Sequence, residues 1–465
     1  INNPVVRLID RLDAEYEFVG NNATMFYVRT DRNAPRGRIV AISIDNPRES
    51  RWNTIVAESK DALVSATMAG DDIVGNYLQD AHSSIRFFTG SRNARRDPLP
   101  RQPQQQTRPP ATVYDDTSTA PIVTRGIQMT GGGFVLRGEL PLPGIGTVNE
   151  LNGKQKDDEL FYSFTSFLYP TTIYRFDLNS RRNELFRTPK VAFDPSGYET
   201  RQVFFTSKDG TRVPMFITSK KGLVLDGNNP TLLYAYGGFN ISETPGFSAA
   251  NAAWLEMGGL YALANLRGGG EYGKEWHEAG MLAKKQNVFD DFIAAAQYLI
   301  SQKYTSTPKL AIRGGSNGGL LVGAVMTQRP DLFGATLPEV GVMDMLRFQK
   351  FTIGWAWTSD YGSSDIPEQF KFLRAYSPLH NIKPGTCYPP TLAFTADHDD
   401  RVVPGHTFKF VAALQAAQAC ANPILVRIET KAGHGAGKPT SKQIDEAADR
   451  FAFLVRELHM KPTLQ

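Results

Sequence analysis

Gly314-Gly-Ser-Asn-Gly-Gly319 sets a serine among glycines, and a serine so placed can serve as a nucleophile. The apolar run Lys309–Arg313 precedes it, and Leu320–Met326 follows with the look of a helix start. Strand, glycine-flanked serine, helix is the G-x-S-x-G nucleophile elbow, with Gly314, Ser316 and Gly318 at its defining places. The turn is too tight for bulky neighbours, which is why glycine brackets the serine. It presents the hydroxyl at the strand tip and aims the N–H of Asn317 into the same space. Taken alone, the six residues also fit a flexible loop.

An alcohol is a weak nucleophile. A base must take its proton, and an acid must orient the base. Elbow proteins order the three along the chain as serine, acid, histidine. His406, His434 and His459 all stand late enough. His406 falls in the first turn of an expected helix and His459 at a helix end. His434 lies in the glycine-rich Lys431–Lys438 loop after the strand Ile424–Glu429, so it is the candidate base. The acid must come from Ala396–Pro404, after the strand Thr391–Thr395. Asp397, Asp399 and Asp400 compete there, and spacing barely separates the last two. Asp397 also suits holding the loop by turn hydrogen bonds. Oxyanion stabilisation needs two donors. Asn317 N–H is one. The other comes from Tyr236-Gly-Gly-Phe-Asn240, through a backbone N–H or the Tyr236 hydroxyl. A core role for that tyrosine is the competing reading.

These residues need a sheet to carry them. After Tyr198 a hairpin (Gln202–Ser207, Val213–Ser219) leads into alternating strands and helices. The strands are Thr231–Tyr236, Leu260–Leu266, Lys309–Arg313, Ala335–Gly341, Thr391–Thr395 and Ile424–Glu429, with helices at Asn287–Gln302 and Ser441–Leu458. That is a doubly wound α/β sheet, whose catalytic loops lie at the carboxyl ends of strands. The first 190 residues read instead as short strands with turns between, among them Ala23–Arg29, Arg38–Ser43 and Leu160–Thr165. They fit a sandwich, barrel or propeller of three or four blades. Ser91–Pro110, rich in Arg, Pro and Gln, reads as a solvated insertion.

At 465 residues two or more domains are expected. A net charge of +4, without a basic face carrying aromatics, argues against nucleic acid. No apolar run reaches the roughly 18 residues of a membrane span, so a soluble protein of cytoplasm or periplasm is expected. Position 1 is isoleucine, which points to a processed, truncated or cleaved product. Cys387 and Cys420 are the two cysteines, and neither has metal-ligand spacing. The first precedes the strand Thr391–Thr395 and the second ends the helix after it, roughly Pro404–Cys420, so both meet one sheet edge. A disulfide and two buried free thiols both remain open. A metal held by His398 and its neighbouring carboxylates lacks further ligands. Gly268-Gly-Gly-Glu-Tyr-Gly273 matches a dinucleotide fingerprint in letters, but the acidic residue Asp290 falls in a helical pattern. Gly435-Ala-Gly-Lys438 ends in Pro439 and fails as a phosphate loop.

With these residues quoted, the chain resembles the prolyl oligopeptidase family of serine peptidases, which join an α/β-hydrolase domain to a seven-bladed propeller. Further matching strings are Tyr234–Ser242, Asn265–Gly273, Val340–Met345, Trp355–Tyr361, Ala396–Pro404 and Lys431–Pro439. The resemblance implies Ser316 as nucleophile, Asp399 as acid, His434 as base, and Tyr236 hydroxyl with Asn317 N–H as oxyanion hole. It also implies a proline pocket: Trp357 against the substrate ring, with Phe239, Val342, Ile353, Tyr361 and Val402 around it, and Arg401 on a substrate carbonyl. For Trp357, residue type alone favours core packing. The implied activity is cleavage of short peptides after proline, with no metal or organic cofactor. A related hydrolase of other peptides or esters, and a catalytically silent binding module, are the alternatives. The expected layout is an N-terminally truncated propeller over 1–192 and a catalytic domain over 193–465. Residues from Ala81 to about Glu139 match the family poorly. The remaining blades are expected elsewhere in a longer product or in a separate partner chain.

Overall fold

A computed structural model of the chain describes residues 5–90, 133–435 and 437–462. The expected insertion at 91–110 lies outside the described residues. The chain divides into two compact units. One comprises Ile1–Ser196 with Thr244–Phe247 and Glu271–Lys274; the other comprises Gly197–Glu243, Ser248–Gly270 and Glu275–Gln465.

The first unit is built from four-stranded antiparallel sheets. Strands β1 (Tyr16–Asn22), β2 (Met25–Thr30), β3 (Arg38–Ser43) and β4 (Asn53–Val56) form one. Strands β5 (Ala62–Ala69), β6 (Asp72–Gln79), β7 (His82–Gly90) and β8 (Phe134–Leu140) form the next. Strands β9 (Thr147–Gly153), β10 (Glu159–Thr165), β11 (Thr172–Asp177) and β12 (Asn183–Arg187) form a third. Neighbouring sheets share apolar clusters. Tyr27, Ile39 and Ile55 of the first pack with Leu63, Ile73 and Phe88 of the second. Val74, Ile85 and Phe87 of the second pack with Leu160, Tyr162 and Phe176 of the third. This is blade-on-blade stacking, in which the middle strands β6, β7 and β10 are buried over most of their length and the edge strand β12 is exposed. Ala23, expected inside a strand, instead turns between β1 and β2 at φ 50°. Residues 81–139, read as a poor family match, contain the ordinary paired strands β7 and β8.

The second unit is an eight-stranded sheet. Its strands are β13 (Tyr198–Thr206), β14 (Arg212–Lys220), β15 (Thr231–Tyr234), β16 (Leu260–Ala264), β17 (Leu310–Gly315), β18 (Ala335–Glu339), β19 (Thr391–Ala396) and β20 (Ile424–Glu429). Their spatial order is β13-β14-β16-β15-β17-β18-β19-β20. The opening hairpin joins β16 antiparallel, and every pair from β16–β15 to β19–β20 is parallel. Helices α1 (Ala249–Glu256), α2 (Lys274–Glu278), α3 (Gln286–Ser301), α4 (Asn317–Gln328), α5 (Thr358–Tyr361), α6 (Pro367–Tyr376), α7 (Gly405–Ala417) and α8 (Thr440–Glu457) lie between and after the strands. In α3, Val288, Phe289, Phe292, Ala295, Ala296 and Leu299 are buried, the three-and-four spacing of one helix face. They join Leu233, Ile312, Leu321 and Val325 in the main core. On α1 and α8, Trp254 and Phe451 stack with ring centroids 5.8 Å apart.

Helix α7 ends at Ala417, short of the expected Cys420, because the chain turns extended at Gln418. Cys420 nevertheless reaches Cys387, and the two are joined in a disulfide 33 residues apart. The open choice between bridge and free thiols therefore goes to the bridge. Closing a loop of that length removes unfolded-state entropy worth about 3–4 kcal/mol. Reduction is expected to lower the denaturant midpoint accordingly. Identical unfolding curves with and without dithiothreitol, in protein whose thiol titration confirms reduction, would contradict this.

Candidate active site

Ser316 sits between the end of β17 and the start of α4, at φ 57° and ψ −114°. A non-glycine residue there is strained by roughly 1–3 kcal/mol. Its surroundings leave no other path. A Cβ at Gly314 would meet the Gly318 carbonyl at 2.3 Å, and one at Gly318 would meet the Ala235 carbonyl at 2.8 Å. Ser316 N–H donates to the Glu339 carbonyl at 2.8 Å, which pins the turn to the neighbouring strand β18.

The Glu339 carboxylate lies between two guanidiniums. It accepts from Arg313 Nε at 2.8 Å and from Arg450 Nε at 2.9 Å. Burial pushes its carboxyl up, but Arg313 and Arg450 outweigh burial and hold it below the usual range. Removing that charge leaves Arg313 without a carboxylate and Arg450 with Glu446 alone, a loss of about 3–5 kcal/mol. Glu339→Gln is therefore expected to lower the unfolding midpoint sharply, as read by calorimetry. A midpoint within a degree of the parent would refute the brace.

The loops after β19 and β20 carry the candidate acid and the candidate base. Asp399 is buried. Its Oδ1 accepts from the N–H groups of Arg401 (3.0 Å) and Val402 (2.9 Å). Its Oδ2 is 2.7 Å from His434 Nδ1. With Nδ1–H given to the carboxylate, Nε2 keeps its lone pair for a proton. Asp397 holds the loops together instead. It accepts from Ala432 N–H at 3.4 Å, and its own N–H reaches the Glu429 carbonyl at 3.0 Å. Its carboxyl is held down to about 2, first by the His398 bond and then by the Lys431 N–H. Asp400 is exposed. His406 is buried with Nδ1 accepting from Asp344 N–H at 3.1 Å, and burial lowers its pKa to about 4.

The Tyr236 hydroxyl lies within the influence of the Ser316 side chain, which lowers its pKa against the larger effect of burial. Burial raises the pKa of this phenol, so it keeps its proton and stays a donor at neutral pH. Asn317 is buried and its side-chain N–H reaches the Tyr236 carbonyl at 2.6 Å. Among the described residues Ser316 and His434 are not hydrogen-bonded to each other, and His434 is held by Asp399. The glycine string that mimics a dinucleotide fingerprint packs against the Tyr236–Asn240 loop. A Cβ at Gly268 would meet the Gly237 carbonyl at 2.7 Å, and one at Gly270 the Asn240 carbonyl at 2.6 Å. Asp290 lies within α3.

Of the implied pocket residues, Val342, Tyr361 and Val402 are buried in the main core, with Phe239 and Trp357 packed on it part-buried. Tyr361 takes Phe239 and Phe348 edge-on at 5.2 and 5.3 Å, and Trp357 stacks parallel to Phe348 at 6.4 Å. Ile353 stands outside this cluster and is 43% exposed. The Arg401 side chain is exposed. Sequence reasoning did not single out Arg313, Glu339 and Arg450, which are over a hundred residues apart at the extremes, nor Lys285.

A family model described as the prolyl oligopeptidase family matches residues 245–461. A second, for the N-terminal β-propeller domain of prolyl oligopeptidase, matches residues 2–189. The chain belongs to the prolyl oligopeptidase family. It is 45% identical over 457 residues to a prolyl endopeptidase of Elizabethkingia miricola, covering 98% of this chain and 59% of the relative. A prolyl endopeptidase of Dictyostelium discoideum is 40% identical, with 98% and 57% covered. A solved prolyl endopeptidase superposes with a TM-score of 0.84 at 42% identity, covering 98% of this chain and 61% of the other. Prolyl oligopeptidase B of Galerina marginata, bound to a 35-residue substrate, gives 0.84 at 34% identity, with 98% and 59% covered. The chain thus spans about three-fifths of the length of the curated relatives it matches. The α/β-hydrolase and propeller architecture expected from sequence is that of this prolyl oligopeptidase family. The expectation of a partner chain supplying propeller strands finds no support, since the propeller match lies within this chain. No helix among the described residues is long and apolar enough to cross a membrane.

Proposed function

We propose that this chain is a serine endopeptidase that cleaves short peptides on the carboxyl side of proline through an acyl-enzyme. The supporting observation is the Asp399–His434 hydrogen bond in loops that leave the same sheet edge as the Ser316 elbow and the Tyr236 turn. In this reading Ser316 Oγ attacks the carbonyl carbon and His434 Nε2 takes the hydroxyl proton. Asp399 fixes the tautomer and stabilises the imidazolium. Negative charge on the carbonyl oxygen falls to the Tyr236 hydroxyl and Asn317 N–H. Collapse expels the amine, which takes the proton from His434. Water then repeats the sequence on the ester and frees Ser316.

Proline has no N–H to recognise, so selection rests on shape and an aromatic face. Trp357 is part-buried over the Phe348 ring and offers such a face. In this reading Phe239, Val342, Ile353, Tyr361 and Val402 surround the substrate ring, and Arg401 binds a substrate carbonyl. In this reading residues 1–192 are propeller and 193–465 are the catalytic domain. Short proline-containing peptides are the partners, and the side chains and water suffice without a cofactor. Of the two compartments expected, the Cys387–Cys420 bridge favours the oxidising periplasm.

Turnover of an acyl-Gly-Pro amide is expected from the chain, and Ser316→Ala is expected to remove it by several orders of magnitude. Undiminished turnover in that variant would end the assignment. Trp357→Ala is expected to raise KM for proline substrates about 10-fold relative to alanine substrates. Equal losses on both substrates would contradict the stacking role.

A further inference from the structure

Lys285 takes no part in the reaction as written, yet it is a cation buried to 1% exposure beside the site. It stands between the 3-10 turn Leu282–Lys284 and α3. Its Nζ donates to the Gly237 carbonyl at 2.9 Å and to Asn317 Oδ1 at 3.1 Å, and lies 5.3 Å from the Tyr361 ring centre. Among the described residues it forms no ion pair. Asp360 attracts it from a distance, but Asp360 Oδ2 is taken by His277 Nε2 at 2.7 Å. Burial brings the lysine down to about 8. An unpaired buried ammonium is costly, so its two acceptors must account for its place.

Both acceptors belong to the wall that carries the oxyanion donors. The Asn317 side chain is a junction. Its Oδ1 accepts from Lys285 and from the Tyr361 hydroxyl (2.9 Å), and its Nδ2 donates to the Tyr236 carbonyl (2.6 Å). Gly237, the other acceptor, follows Tyr236 directly, in a turn where Gly237, Phe239 and Asn240 have φ of 65°, 58° and 57°. One ammonium therefore grips the residue whose N–H is one donor and the turn that bears the other. Without it, Asn317 Oδ1 keeps a single partner, the Gly237 carbonyl loses its bond, and the strained turn is free to relax.

We propose that Lys285 is a positioning residue of the oxyanion pocket, holding Asn317 and the Tyr236–Gly237 turn so that both donors meet one developing charge. This rests on the peptidase reading above. Oxyanion donors act only when aimed at the place the charge will occupy. Loss of the grip therefore weakens binding of the tetrahedral state and spares ground-state binding of a peptide.

The test compares Lys285→Met with the unsubstituted 465-residue chain. The probes are turnover of acyl-Gly-Pro amide, inhibition by the matching peptidyl-proline aldehyde, and binding of the acyl-Gly-Pro acid. The aldehyde forms a tetrahedral adduct with Ser316; the acid does not. Expected are losses of about 10- to 100-fold in kcat and in aldehyde affinity, smaller than for deleting a donor outright, with acid affinity retained. In a Tyr236→Phe background the same substitution is expected to cost less, because both act on one donor. Unchanged kcat, parallel loss of aldehyde and acid affinity, or additive effects with Tyr236→Phe would each overturn the proposal. Should Lys285→Met fail to fold, Lys285→Gln is carried through the same measurements and judged by the same outcomes. An unsubstituted chain that neither turns over the amide nor binds the aldehyde overturns the peptidase reading itself, and this proposal with it.

Discussion

A serine backbone held at positive φ at the tip of β17 is the constraint on which the rest of the site depends. That conformation is unfavourable for any side chain with a Cβ. It persists because the surrounding contacts over-determine it. Glycines at 314 and 318 let backbone pass where a Cβ would collide, and Glu339 holds the turn by its carbonyl. The same glutamate balances Arg313 and Arg450 through its side chain. One residue thus ties the elbow to the adjacent strand and to α8, so the Ser316 hydroxyl inherits the rigidity of the core.

Convergence of the other groups follows from parallel strands. Because β15, β17, β18, β19 and β20 run the same way side by side, the loops that leave them emerge at one edge. Tyr236 follows β15, Ser316 follows β17, Asp399 follows β19 and His434 follows β20. Side chains at that edge are then held by hydrogen bonds from their neighbours. Asp399 spends one oxygen on two backbone N–H groups and the other on His434. Asp397 ties the two loops that carry Asp399 and His434. The Asn317 amide has both its N–H and its oxygen engaged. Polar groups in such a place are held or they wander, and these are held.

Much of this was legible in the residues because local rules act over short spans. The elbow is six residues of glycine and serine, and the strands of the sheet are short apolar runs bounded by turns. The separation of Asp397, Asp399 and Asp400 was not, since it depends on which backbone N–H groups the loop turns toward. Arg313, Glu339 and Arg450 gave no signal, because no periodicity links partners so far apart. Lys285 was hidden for a different reason. A lysine beside another lysine, ahead of an amphipathic helix, reads as solvated surface, and only the fold shows that its neighbours are carbonyl oxygens. Ala23 was misplaced because its apolar side chain resembles strand, whereas its backbone turns.

The most direct measurement is peptide mapping by mass spectrometry after treatment with a fluorophosphonate, which reacts only with a serine made nucleophilic by its surroundings. The account expects a single adduct, on the peptide containing Ser316, and its disappearance when His434 is replaced by alanine. Absence of any adduct, or labelling at another serine that survives that replacement, would contradict it.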